Sequence, residues 1–206
     1  MTTVSTPMPA PPPPPAAPTK YPITFEMDTP EKLSRWVWLF KGFLLIPHIL
    51  LFYVLGILAE VALFISWLAI LITGKYPRGL FNFILGTARW MARVNGYGSH
   101  FTDKYPPFSM GTEAGYPVRF NAEYPEKSSR MKAFFRYFLA LPQFIVLGVI
   151  SVLFGVLWLV HMVLVVITGK PNSGMFKLMT GILRWNMRVQ GYVMLFTDRY
   201  PPFSFD

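Results

Sequence analysis

The sequence repeats itself at a fixed offset. Tyr21-Pro22-Ile23-Thr24-Phe25 returns as Tyr116-Pro117-Val118-Arg119-Phe120, an offset of 116 − 21 = 95. The register holds without a gap to the end, where Phe101 to Ser109 returns as Phe196 to Ser204 with Lys104 exchanged for Arg199. Roughly 40% of the aligned pairs are identical, which marks a tandem duplication of a complete structural unit. The fold must therefore accommodate two like units. A residue type kept in both copies serves the unit rather than one copy's particular role.

Apolar residues make up 53% of the chain, charged residues only 14%, and the mean hydropathy is +0.40. Soluble domains carry about a quarter charged residues, so this is a membrane composition. There is no cysteine, which excludes a disulfide frame, a thiolate metal site and a cysteine nucleophile. With 3 His in all, a metal centre is not expected, and no cofactor is implied. The net charge is +9. Lys and Arg flank apolar runs, so anionic lipid head groups are the expected partners, not nucleic acid. Residues 1–20 carry the run Pro11 to Pro15 and read as a disordered, Pro-rich tail. They lack the basic-then-apolar order of a signal peptide.

Each unit, 21–109 and 116–206 with a linker at 110–115, opens on Tyr-Pro-x-x-Phe, an extended segment. Thr29-Pro30-Glu31 and Tyr124-Pro125-Glu126 read as helix starts. Arg35 and Lys41 then lie among Trp36, Trp38, Phe40 and Phe43, and Arg130 and Arg136 among Phe134, Phe135 and Phe138. This mixture suits a head-group layer, so these four cations are candidate interfacial anchors. Pro47 and Pro142 follow at matched positions and predict a kink. Ile49 to Ile72 and Phe144 to Ile167 are almost purely apolar. Roughly 25 residues at about 1.5 Å each give about 37 Å, enough for a hydrocarbon core of about 30 Å. Both runs stop at Ile-Thr-Gly-Lys, where Gly ends a helix.

A second helix is predicted over Leu80 to Phe101 and Met175 to Phe196. Its polar stripe carries Arg89 and Arg93 in one copy and Arg184 and Arg188 in the other. The expected fold class is an all-α integral membrane protein of two pseudo-symmetric repeats. Each repeat has a long Pro-kinked transmembrane helix followed by an amphipathic, Arg-bearing one. Two topologies are open. If the second helices span, both units are hairpins of the same sense. If those helices lie in the interface, the units are inverted. Most Lys and Arg fall on the tail-and-linker side, which favours the hairpins with cytoplasmic termini in a multi-pass inner-membrane protein.

The motifs Pro47-His48-Ile49, Ile72 to Phe81, Arg89-Trp90, Arg93-Val94 and Thr102 to Phe108 resemble the bacterial DUF4389 family. The second unit matches through Thr168-Gly169-Lys170, Arg184-Trp185, Arg188-Val189 and Thr197 to Phe203. It departs at Pro171-Asn172-Ser173 and at Gln143, which stands where the first unit has His48. The resemblance implies an actinobacterial-type inner-membrane protein with paired family domains. It carries no assigned activity and no catalytic residue.

Like charges one helical turn apart repel mildly, so Arg89/Arg93 and Arg184/Arg188 are candidate anion or lipid sites. The alternative is pairing with Asp103 and Asp198. Glu60 is the only acid in either long run; its counterpart is Gly155. An acid within the membrane is a functional candidate, as is the buried-run His161. Gly148, Ser151 and Gly155 share a small face opposite Tyr53, and the long helices are expected to meet there. His48 reads as an interfacial histidine. No nucleophile elbow, metal cluster or P-loop is present, so a non-enzymatic role is expected. The chain reads as a scaffold or accessory subunit binding anionic lipid or a membrane partner, in a homo-oligomer or with another protein. A small transporter or lipid-handling protein is the alternative.

Overall fold

A computed structural model describes residues 20–206; the Pro-rich tail lies, but for Lys20, outside them. The elements are β1 (Ile23–Met27), α1 (Trp38–Leu44), α2 (Ile46–Thr73), α3 (Arg78–Gly98), β2 (Val118–Ala122), α4 (Arg130–Thr168) and α5 (Ser173–Val193). Each Tyr-Pro-x-x-Phe segment runs into a strand, so the fold is mostly helical and not, as expected, all-α. The Pro-Glu-Lys segments do not start helices, because their continuations are held extended by the opposite unit. Leu33 N donates to Gly169 O and Ser128 N to Gly74 O, both at 3.0 Å. Helix α4 begins one step later, capped by Ser129. The first copy divides into α1 and α2 at Leu45, just before Pro47, with Leu45 still helical, whereas Pro142 sits inside an unbroken α4.

Helices α2 and α4 end at Gly74 and Gly169, both at φ 71°, a left-handed conformation that favours glycine. Helices α3 and α5 end in the same hand without glycine, at His100 (φ 64°) and Leu195 (φ 69°). There Phe101 N reaches Gly96 O and Phe196 N reaches Gly191 O, each at 3.0 Å, the six-to-one bond of a Schellman cap.

Strands β1 and β2 pair antiparallel, with Phe25 opposite Phe120. Since 25 + 95 = 120, a pseudo-two-fold axis passes through this pair. Each strand packs on the other repeat's second helix: β1 on α5 and β2 on α3. The contact is close. A Cβ at Gly191 would lie 2.5 Å from Ile23 Cδ1, and one at Gly96 2.6 Å from Val118 Cγ2. The Gly-Tyr pair is therefore kept in both copies because a strand of the opposite repeat crosses it. The sequence units are interlaced in space. Strands cover α3 and α5; α3 packs on α2, α5 on α4, and α2 touches α4.

Helices α2 and α4, of 28 and 39 residues, are long and apolar enough to cross a membrane. They run antiparallel, since each ends beside the segment that leads into the other. Trp67 Nε1, late in α2, donates to Ala133 O, early in α4, at 3.0 Å. This overturns the two hairpins of like sense. Counting charges by side assumed that the linker stays where α3 ends. Segment 99–129 instead runs back along the helices, so the loop after α2 and the start of α4 share one end. The small face is also not where they meet. Tyr53 is 76% exposed, and nothing lies within 4 Å of a Cβ at Gly148 or Gly155. Trp67, donating to Ala133 O, joins the long helices instead.

Matched positions keep a bond while changing its chemistry. Trp90 Nε1 donates to His48 Nδ1 at 3.1 Å, and Trp185 Nε1 to Gln143 Oε1 at 2.8 Å. Gln143 also donates to Pro201 O at 2.7 Å. Gln143→Leu strands two buried polar groups and should cost about 1–3 kcal/mol. His48→Gln, which copies the second unit into the first, should stay within about 0.5 kcal/mol. Unfolding in mild detergent checks both; equal losses would show that the indole bond is not what these positions share.

Candidate functional site

The buried stripe that runs through α1 and α2 in one repeat and through α4 in the other decides which cations are available to a ligand. Lys41 and Arg136 fall on the buried stripe with His48 and Gln143, at 2% and 1% exposure. They are therefore not head-group anchors, a correction to the sequence reading. Lys41 Nζ sits 2.9 Å from Asp103 Oδ1, and Arg136 Nη2 pairs with Asp198 Oδ1. Each carboxylate also accepts a backbone N–H, from Ser34 and Ser129 respectively, at 2.5 Å. Burial draws Lys41 below the ordinary lysine range, opposed by Asp103. His48 is likewise buried rather than interfacial, stacked on Phe108 at 3.9 Å. Arg35 and Arg130 are exposed, and they stand at the carboxyl ends of the opposite long helices, beside Gly169 and Gly74.

The two Arg pairs occupy separate clefts beside the sheet. The first, about 240 Å³, is lined by Arg89, Arg93 and Arg119 with Glu26 and Glu113. The second, about 230 Å³, is lined by Arg184, Arg188 and Tyr21 with Glu26 and Asp206. Lys20 borders both. Neutral oxygens hold three of the four guanidinium groups. Arg89 bonds Asn121 Oδ1, and Arg93 bonds the carbonyls of Ser109 and Gly111. Arg184 bonds the carbonyls of Phe25 and Phe205, each at 3.0 Å. The Arg188 guanidinium lies 5.7 Å from the Tyr21 ring centroid. None of the four is within 4.0 Å of a carboxylate among the described residues. Asp103 and Asp198 are thus not their partners, because the buried Lys41 and Arg136 already hold them. Burial lowers Arg89, Arg93 and Arg188 from the usual arginine range. Cations partly desolvated without a contacting counter-ion are suited to a phosphate or carboxylate.

Glu60 is exposed on the apolar face. It borders a cleft of about 330 Å³ between α2 and α4, with Trp67, Phe134 and Tyr137. His161 is fully buried elsewhere, its Nε2 3.4 Å from His100 O. The structure therefore does not bring Glu60 and His161 together. Among the described residues no three His, Asp or Glu side chains are grouped to hold a metal ion.

The two halves are alike in these particulars, and comparison with known families gives the same division. A model of a domain of unknown function, DUF4389, matches residues 35–110 and again residues 130–204. The chain belongs to this family. No curated protein and no solved structure matches it. Both DUF4389 segments begin after a strand and end after Tyr-Pro-Pro-Phe, so β1 and β2 lie outside them. The family unit is the helical half with its closing turn. The strands are what lock two such units together. The half-buried acids of each DUF4389 unit, Asp103 and Asp198, were visible in sequence as part of a kept Thr-Asp-Lys/Arg motif and as partners for Arg, but not for Lys41 and Arg136. Their partners lie more than 60 residues away in the chain.

Proposed function

We propose that this DUF4389 protein is a non-enzymatic scaffold of the bacterial inner membrane. It holds anionic lipid head groups at two basic corners and docks a membrane-associated partner through its Arg clefts. The observation that carries this reading is the exposed apolar face of α2 and α4, bounded at both ends by exposed cations. Lys32, Arg35 and Lys170 surround the end of α4; Lys75, Lys127 and Arg130 surround the end of α2. Each such charge contributes about 1 kcal/mol near an anionic leaflet. The Arg clefts, one per repeat, offer guanidinium groups to phosphate or carboxylate on a partner. A transport path between the repeats would gather the four Arg in one cavity, and they line two. Lipid handling retains one supporting observation, the cleft beside Glu60, large enough to admit part of an acyl chain.

Native mass spectrometry of the protein in mild detergent tests the corner assignment. The wild type should retain phosphatidylglycerol over phosphatidylcholine. Replacing the six corner cations by Gln should cut that preference at least tenfold, since several charges of about 1 kcal/mol each act together. An unchanged preference in the folded variant rejects lipid recognition at the corners.

A further inference from the structure

We infer that α2 and α4 lie in the plane of one leaflet instead of crossing the bilayer. The inference rests on the membrane reading above and specifies its geometry. The pseudo-two-fold axis runs through Phe25 and Phe120 and exchanges the two antiparallel long helices. The sheet therefore stands level with their midpoints. If the helices crossed a bilayer, the sheet would sit at its centre. Two strands leave two open edges, and Glu26 and Asp28 are exposed there, with Arg119 2.7 Å from Asp28. Segment 99–117, between α3 and β2, is irregular backbone running along the same length. Open edges and irregular chain are not tolerated against hydrocarbon, where each unpaired backbone group costs several kcal/mol.

The layer order offers the alternative. The sheet rests on α3 and α5, and these rest on α2 and α4. The broad apolar exposure from Trp36 to Ile72 and from Met131 to Ile167 thus faces away from the sheet. One side of the molecule is greasy and the other polar. Helix α4 has 39 residues, about 58 Å at about 1.5 Å per residue, nearly twice the hydrocarbon thickness of about 30 Å. A helix lying flat has no such length limit. The corner cations then form a rim at both ends, on one leaflet, complementary to anionic phosphates. Glu60 in turn lies within about 5–10 Å of the head groups, so its carboxylate reaches water without crossing the membrane centre.

The chain has no cysteine, so single-cysteine labelling has no background. Lys75→Cys and Lys170→Cys place a thiol at opposite ends of the molecule, on exposed side chains. A membrane-impermeant maleimide is applied to spheroplasts and to inside-out vesicles from cells expressing the full chain. Both thiols should react from the same face and be shielded from the other. Reaction from opposite faces overturns the inference, whether the polar sides then face a second copy or anything else. Spin labels at Val152→Cys and Ile167→Cys supply an independent measurement. Similar immersion depths are expected, whereas crossing helices separate them by up to about 22 Å. A protein recovered outside the membrane fraction would instead reject the membrane reading itself.

Discussion

Asp198→Ala should destabilise the protein by about 3–5 kcal/mol, because it leaves Arg136 buried without its carboxylate. Arg136 is 1% exposed, and its remaining hydrogen-bond partners are the carbonyls of Tyr192, at 2.5 Å, and Thr197, at 3.0 Å, with the Tyr192 ring 4.7 Å from the guanidinium. Two neutral oxygens do not offset the desolvation of a guanidinium. The same substitution frees Ser129 N, which Asp198 accepts at the start of α4, so the cap of the longest helix loosens with the ion pair. Chemical unfolding in mild detergent measures the loss. Arg136→Met combined with Asp198→Ala should recover a large part of it, since removing both charges also removes the stranded one. A loss below about 1 kcal/mol for Asp198→Ala would mean that water reaches Arg136, contrary to its burial.

Acidification should destabilise the protein through His100. This side chain is 1% exposed, and burial, assisted by Lys41, depresses its pKa from 6.5 to about 4. Asp103 pulls the other way, its Oδ1 3.9 Å from Nδ1, and His161 packs nearby and lowers it slightly. Below pH 6.5 the unfolded chain binds a proton that the folded chain refuses. Stability contributed by neutral His100 is therefore full above pH 6.5, falls between pH 6.5 and 4, and levels off below. The span corresponds to about 3 kcal/mol. His100→Leu should flatten this segment of the pH profile. Leucine is the natural test residue, because Leu195 occupies the matched left-handed position in the second repeat. An unchanged profile in His100→Leu would assign the acid sensitivity to another group.

Local order was legible in the sequence, and the relation between the units was not. The helix ends at Gly74 and Gly169 followed from Ile-Thr-Gly-Lys, and the second helices from their polar stripe. The extended character of Tyr-Pro-x-x-Phe followed from proline sterics, but its pairing did not. Pairing Phe25 with Phe120 is a contact across 95 residues, and no local pattern encodes which partner a short strand finds. Lys41 and Arg136 looked like surface cations because aromatic residues surround them in sequence. Their position on the buried stripe becomes visible only when Asp103 and Asp198 fold back against them. Of the candidate site, the spacing of the Arg pairs was legible in the polar stripe; their division between two clefts was not, since that division depends on the strand exchange.

That exchange has a consequence for biogenesis. When the first DUF4389 unit leaves the ribosome, the strand that seals Gly96 has not yet been made, and its own strand has nothing to lie on. Strand β2 seals Gly96 as soon as it follows the linker, but β1 has no helix to lie on until α5 is complete. The linker puts both strands on one chain, so the crossing that closes the fold needs no second molecule.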